Sequence, residues 1–507
     1  MSSGKSHDAR SAVAKGVWSV FLAKTGQVIE LVTTPAYTWM FGLATYGLYS
    51  VLWSMVNVLE KITELAMTNS LQRVLPGQTD EESKAAVIKG ALLLGIIPGI
   101  LVALILSLAA PVVAPYFNVA DQDSQQLEMS IRLFIWALPL WGAVEITTSA
   151  LRACKAFGPE IRLRLFWEQI MRLVLSVIFW LADTGTLAIL YAHLCSLTLT
   201  VFLSFRVLHK YCHLGLIWRS RLTSTILHDL FLSGLSVLPV NISGRIFSDM
   251  PVIILNFLLP GAAGADAAGM YNIARKIASI PQLVGVVFTH VVAPIAASTE
   301  NRDETTIQAL YAFSLRVSLL LALPTTAALI VSVDSMLSLF VTGVAAAWPI
   351  VVILTVARGF EAAVGPATAI QQVISHRGMP LLNTIIGLII ATVVTLATYA
   401  FFNTLSIAIG VAIAQIVMAI MAVWQLSRME KIHVLDNSFV RALITALAVS
   451  LILLLVGKLL TSLPATLQGV VILPVYLLSL WTGLRYALPE HDRLALGKLG
   501  KRLRLVS

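Results

Sequence analysis

The sequence predicts an all-α polytopic membrane protein of about fourteen transmembrane helices. Three observations lead there: an apolar composition, a recurrence of long apolar stretches, and a one-sided placement of Lys and Arg. Of the 507 residues, 58% are apolar and 12% charged, with a mean hydropathy of +0.87. Soluble domains carry about 25% charged residues, so this composition cannot cover a soluble enzyme of such length. Disorder and a secreted disulfide scaffold are excluded as well. Cys154, Cys195 and Cys212 are an odd count with neither CxxC nor metal-ligand spacing. The apolar runs are too long for an outer-membrane barrel and lack its alternation. Lipid then leaves helices, whose backbone groups bond internally.

The polar start, MSSGKSHDAR, has no short apolar core followed by a small-residue cleavage site and reads as a cytoplasmic tail, 1–12. Spans follow at 13–34, 44–66, 87–114, 129–150, 163–182 and 187–208, forming an N-lobe of 13–210. A basic cytoplasmic linker, 211–227, is expected to include an amphipathic helix on anionic lipid. Spans at 228–258, 268–296, 308–340, 346–373, 381–402 and 405–427 form a C-lobe of 228–430. Two more, 440–461 and 466–486, fall within 431–486, and 487–507 is a basic cytoplasmic tail. Pro98, Pro239, Pro281, Pro324 and Pro366 interrupt spans and are expected to kink them. Trp39, Trp53, Trp136, Trp141, Trp180 and Trp348 fall near outer helix ends, where an interfacial belt is expected.

Counting cations sets the orientation. With the N-terminus inside, twenty-five of the 35 Lys and Arg fall in inner breaks or tails, while the outer breaks hold essentially Lys458 alone. Basic residues stay on the cytoplasmic side, so both termini are expected inside. The formal charge of +9 then reports topology and calls for no nucleic acid.

Similar segments recur at an offset of about 220 residues. Tyr46-Gly47-Leu48-Tyr49 is echoed by Ala268-Gly269-Met270-Tyr271, Pro98 by Pro324, and Arg206 by Arg428. Six helices separate the copies, so both have the same orientation, as in parallel transporter repeats. On this layout, together with YGLYSVLWSMVNVLEKITELAMTNSLQRVLP (46–76), GMYNIARKIASIPQLV (269–284) and LRACKAFGP (151–159), the chain resembles the multidrug/oligosaccharidyl-lipid/polysaccharide exporter superfamily. Within it, the chain is similar to the lipid flippases of bacterial O-antigen and exopolysaccharide synthesis. The resemblance implies two bundles around an alternating-access cavity lined largely by the first, second, seventh and eighth helices. It implies a bacterial inner-membrane location and, as cargo, an undecaprenyl-pyrophosphate-linked glycan. It also implies a polysaccharide polymerase and a chain-length regulator as partners beside membrane lipids.

Buried charges cost free energy on insertion, so each needs a partner, an aqueous cavity or an escape to the interface. Arg245 has Asp249, Arg172 has Glu168, Arg358 has Glu361 and Arg132 has Glu128 at helical spacing. Lys24, Arg275, Lys276 and Arg316 have no such neighbour in sequence. Lys24 and Arg245 precede the paired glycines Gly47 and Gly269 by 23 and 24 residues, placing one cation in the first helix of each lobe. Lys24, Arg245, Arg275 and Lys276 are therefore the candidate pyrophosphate ligands, against snorkelling or pairing across helices. Arg316 lies close enough to the inner face to snorkel. Arg172–Glu168 reads as a packing pair, and Arg358–Glu361 as a cavity charge pair or another packing pair. Glu30, Asp249 and Glu145 are candidates for a coupling proton or sodium ion. Glu60 and Glu64, flanking Lys61 near an inner helix end, are expected to be solvated. Asn57, Asn241 and Gln282 would bond sugar hydroxyls or join helices.

No GxxxxGK[ST], HExxH or GxSxG occurs, so no enzyme and no cofactor is expected. The rival readings are a peptidoglycan lipid II flippase, with the same pyrophosphate chemistry, and a multidrug/cation antiporter, which would want an acidic, aromatic cavity. A membrane glycosyltransferase or polymerase would need a larger extramembrane loop than the longest break here, about 20 residues.

Overall fold

Backbone groups in lipid must bond within their own segment, and in a computed structural model every regular element among the described residues is helical. The structure describes residues 29–154, 163, 166–297, 304–374, 378–432, 434 and 436–505. Ten of the described helices are long and apolar enough to cross a membrane. The chain is an all-helical, multi-pass membrane protein. It divides into two compact units, one within Thr25–Asn272 and one within Ile273–Ser507.

In the first unit α1 (29–41) and α2 (Leu43–Thr63) meet at Gly42, whose φ of +80° favours a residue without Cβ. α2 ends at Leu65 and Ala66, both in the left-handed region at φ of 52° and 55°. Packing holds this turn: Ala66 is buried, and the following α3 (Met67–Val74) inserts Met67 and Leu71 among Leu92, Ile146, Leu208 and Leu230. α4 (Glu81–Leu108) starts on Asp80, which accepts from the Ser83 backbone N–H at 2.7 Å. That bond holds the Asp80 carboxyl below its usual range. Farther along, α4 turns Leu101, Leu104, Ile105 and Leu108 outward, where acyl chains replace protein.

The predicted fourth span is one crossing, Leu127–Ala153, with a break of two residues between α5 (Leu127–Phe134) and α6 (Ala137–Ala153). α7 (Glu168–Leu181) and α8 (Leu187–Tyr211) follow as expected. Glu168 pairs with Arg172 on α7, and Arg172 also donates to the Tyr49 hydroxyl at 3.1 Å. Tyr49 in turn lies 3.2 Å from His193 Nδ1. The pair expected from sequence is thus one side of a buried cluster joining α2, α7 and α8. Trp141 is buried and packs edge-on against Trp53 at 5.5 Å, so these two line the bundle instead of the interface. Trp39, Trp136, Trp180 and Trp348 are exposed.

α9 (Leu214–Arg219) is the short helix of the linker; Lys89 Nζ donates to the Trp218 and Ser220 carbonyls near its end, at 2.9 and 3.0 Å. The predicted seventh span also divides, into α10 (Ser224–Leu235) and α11 (Leu238–Leu258). Pro239 explains the division: lacking an N–H, it fits the first turn of a new helix and not the middle of a continuous one. α12 (Ala262–Ala297) begins in this unit, where Gly47 and Gly269 face each other. A Cβ on Gly47 would overlap the Ala265 carbonyl, and one on Gly269 would come within 3.0 Å of Leu43. Asn272 Nδ2 fastens this approach, donating to the Tyr46 hydroxyl at 3.1 Å and to Ser50 Oγ at 2.8 Å.

The second unit contains α13 (Glu304–Val331), α14 (Trp348–Ile374), α15 (Gly378–Phe402), α16 (Leu405–Arg428), α17 (Asn437–Leu459) and α18 (Ala465–Ala487). Its core gathers Tyr311, Phe313, Leu320 and Leu426 with Leu488, Leu496 and Leu505 from the C-terminal segment. α14, α15 and α16 are tied by carboxamides: Asn383 Nδ2 donates to Gln425 at 2.9 Å and Gln371 at 3.3 Å. Past α18 the chain folds back through α19 (Glu490–Ala495) and α20 (Gly497–Arg502). Arg316 does not snorkel. It is buried, with Nε 2.7 Å from Asp492 and Nη1 3.3 Å from Asp436. A buried guanidinium is better satisfied by two carboxylates than by a stretch toward water.

Candidate functional site

The site is built where α2 ends. Its last turn carries Glu60, Lys61 and, one residue on, Glu64. Glu60 and Glu64 are 1% and 0% exposed, so they are not the solvated pair their position suggests. The chain turns back at Leu65–Ala66 and covers them with α3. The Glu64 carboxylate accepts from the Thr68 backbone N–H at 2.7 Å, in the first turn of α3, where the helix dipole favours an anion. Lys61 Nζ lies 3.1 Å from Glu60 and 3.2 Å from Glu64. Glu145, buried on α6, is within electrostatic reach of Lys61, and so is Arg245 on α11. Arg245 donates to Asp249, one turn along α11, at 3.3 Å.

A cavity of about 450 Å³ opens against these groups, lined by Lys61, Arg245, Thr68, Asn69, Asn241 and Ser248. The cations face it, with side chains 14% exposed for Lys61 and 33% for Arg245, while Asp249 behind Arg245 is 0% exposed. Among the described residues, no carboxylate lines the cavity. Asn241 Nδ2 donates to Asn69 Oδ1 at 2.9 Å and joins α11 to α3. Open space surrounds the Gly244 Cα on the same face of α11. The arrangement is a polar recess with two donor-rich cations at its surface, each backed by buried carboxylates that hold it in place. Such a recess suits a phosphate-bearing group.

Of the residues singled out in sequence, Arg245, Asn241, Asp249 and Glu145 meet here, with Glu60 and Glu64. Lys61, Asn69 and Ser248 were missed, although one signal for Lys61 was present. It is a cation bracketed by Glu60 and Glu64 in a segment whose continuation, 65–75, remains mostly apolar and must pack. Glu30 lies on α1 and within electrostatic reach of Arg172, not in this cavity. Arg275 and Lys276 are half-buried on α12 in the second unit. Arg358 and Glu361 on α14 are bridged by Gln282: Arg358 donates to its carbonyl oxygen, and its Nε2 lies 3.4 Å from both Glu361 oxygens. Lys24 lies outside the described residues.

Residues 13–300 match the family described as polysaccharide biosynthesis protein, which covers more than half of the chain. The chain belongs to this family. No curated protein matches it. Among solved structures it is similar to the lipid II flippase MurJ in an inward closed conformation. The TM-score is 0.70 at 11% identity, over 93% of this chain and 97% of that one. It is similar also to an inward-facing multidrug resistance MATE family transporter of the MOP superfamily, with a TM-score of 0.62 at 17% identity, covering 83% and 95%. A MOP superfamily transporter from Pyrococcus furiosus gives 0.60 at 16%, covering 84% and 96%. Identities this low speak for the fold alone. The fold is the one that these transporters of the multidrug/oligosaccharidyl-lipid/polysaccharide exporter superfamily share.

Proposed function

We propose that the protein carries polyprenyl-pyrophosphate-linked oligosaccharide repeat units across the bacterial inner membrane by alternating access, for O-antigen or exopolysaccharide synthesis. The observation that carries this reading is the cavity surface formed by Lys61 and Arg245, with no carboxylate among the described residues that line it. Guanidinium and ammonium donors match the oxygens of a pyrophosphate, and Asn69, Asn241 and Ser248 offer bonds to the adjoining sugar. An antiporter of organic cations would want the reverse lining. Arg275, Lys276 and Lys24 remain proposed as further ligands. Asp249 and Glu145 are the proposed sites for a coupling proton or sodium ion, with Glu30 a third. Both Asp249 and Glu145 lie beside the two cavity cations, so a bound anion and a bound cation would compete for the same charges.

The geometry also supports alternating access. At the far end of α2, Gly47 and Gly269 close the helices together, and Asn118 and Asn256 exchange bonds at 2.6 and 2.9 Å. At the Lys61 end a cavity opens between α2, α3 and α11 of the same unit. Helices packed at one end with a polar recess at the other suit such a cycle. In the proposed cycle the polymerase and chain-length regulator act on the delivered unit. The test is to extract and identify the lipid that co-purifies with the protein. The reading expects a prenyl-pyrophosphate glycan, whose sugars also separate a lipopolysaccharide or exopolysaccharide unit from a peptidoglycan precursor. Recovery of ordinary phospholipid alone, with export of organic cations by the reconstituted protein, would overturn it.

A further inference from the structure

A second cavity, of about 280 Å³, lies at the opposite end of α2 and takes no part in the site above. It is lined by Thr45, Gln122, Asp123, Gln126, Trp180 and Thr186, among others. Three separate stretches of chain converge there: the start of α2, the turn before α5, and the link from α7 to α8. Sixteen residues of α2 separate Thr45 from Lys61, about 24 Å along the helix.

Its floor is a charged side chain buried with a full set of partners. Asp123 is 1% exposed. It accepts from the Thr45 hydroxyl at 3.0 and 3.1 Å and from the Thr186 hydroxyl at 2.6 Å. Gln122 Nε2 donates to Thr45 Oγ1 at 3.3 Å. Beside this network Gln126 Oε1 is buried and has no hydrogen-bond partner among the described residues. Its carboxamide rests on Gly185, at φ of +61°, where a Cβ would come within 3.2 Å of that oxygen. Trp180, 47% exposed, supplies an aromatic face at the rim.

The lining sorts the ligands. Among the described residues that line it no cation is present, which disfavours an anion. Carboxylate, carboxamide and hydroxyl groups alternate acceptors with donors at short range, as the hydroxyls of a sugar require. An indole face packs against the C–H face of a pyranose ring. Gln126 Oε1 is a buried acceptor, and leaving it unmet costs more than meeting it would. We infer that this cavity is a subsite for one uncharged pyranose unit, distinct from the pyrophosphate recess and placed where the glycan emerges. The link to transport rests on the function proposed above; the sugar binding itself does not.

The test uses the full-length purified protein in lipid nanodiscs and a panel of methyl glycosides of neutral hexoses and N-acetylhexosamines. Binding is read by saturation-transfer NMR. At least one glycoside is expected to bind. Gln126→Ala should weaken it about fivefold, the loss of one neutral hydrogen bond, and Trp180→Ala should weaken it at least as much. Both variants should keep the thermal unfolding midpoint, because neither residue holds Asp123. No binding by any glycoside, or wild-type binding in both variants, would overturn the subsite. Flipping of a lipid-linked glycan by a protein that binds no glycoside would reject the subsite and leave the proposed function standing. Glycoside binding without any flipping would do the reverse.

Discussion

Lys61 shows what a charge in an apolar helix has to find. Two carboxylates hold it, and α3 shields those carboxylates from water, so the ammonium has one open direction, into the cavity. Arg245 is held by Asp249 in the same manner. Replacing Arg245 with Gln removes the charge while leaving a polar chain of similar reach. We expect this variant to fold and to transport at a rate lower by about tenfold or more, as removal of a charge-assisted bond of about 1.5–3 kcal/mol implies. Rates in reconstituted vesicles measure it. A separate expectation concerns Cys154, whose Sγ lies 3.9 Å from that of Cys212. Hydrogen bonding from Cys212 brings the Cys154 thiol down to about 7, while Cys212 is pushed up. The thiolate is the reactive form, so maleimide labelling of Cys154 should rise with pH about a midpoint near 7 and level off about one pH unit higher. Cys212 should label slowly throughout. Equal labelling of both, or a rise centred near 9, would contradict the assignment.

Helices meet closely where side chains are absent, and α2 with α12 is the case in point. Gly47→Val places a branched side chain on the Ala265 carbonyl, so the helices must separate. That variant should insert but lose transport, and the Asn272–Tyr46 and Asn272–Ser50 bonds should go with it; vesicle assays and cross-linking across this contact read both. Elsewhere the C-terminal segment is anchored by Arg316. Arg316→Met leaves Asp492, 0% exposed, buried without its guanidinium, which costs about 3–5 kcal/mol. The expected result is a lower unfolding midpoint and faster proteolysis after Ala487; an unchanged midpoint would restore the snorkelling view of Arg316. The element scale also shows what was legible in sequence. Long apolar helices such as α15 and α16 stand within a few residues of their predicted ends because hydropathy alone determines them, whereas α4 lies six residues earlier at both ends than its hydropathy suggested. The fourth predicted span carries a two-residue break within one crossing, and the seventh proved to be two separate helices. In the seventh, Pro239 decides the break by what its ring forbids in mid-helix, which hydropathy does not record.

For the whole molecule, composition and cation placement pointed to a multi-pass membrane protein, and the paired motifs pointed to its superfamily. The site was less legible. Arg245, Asp249 and Glu145 were recognised as charges that lipid would not tolerate unaided. Lys61 was overlooked because α3, which buries its partners, begins after a left-handed turn at two ordinary residues, Leu65 and Ala66. No glycine or proline marks that turn, and packing alone enforces it. The central claim is that the cations at the mouth of this recess grip an anionic lipid headgroup. The negative-inside potential would then favour outward movement by about 2.3 kcal/mol per charge per 100 mV. The most direct measurement is flipping of a fluorescent polyprenyl-pyrophosphate oligosaccharide in liposomes, comparing wild type with Arg245→Gln. The account predicts movement by the wild type and a loss of about tenfold or more in the variant. Equal rates, or no movement of that lipid by a wild-type protein that exports organic cations, would contradict it.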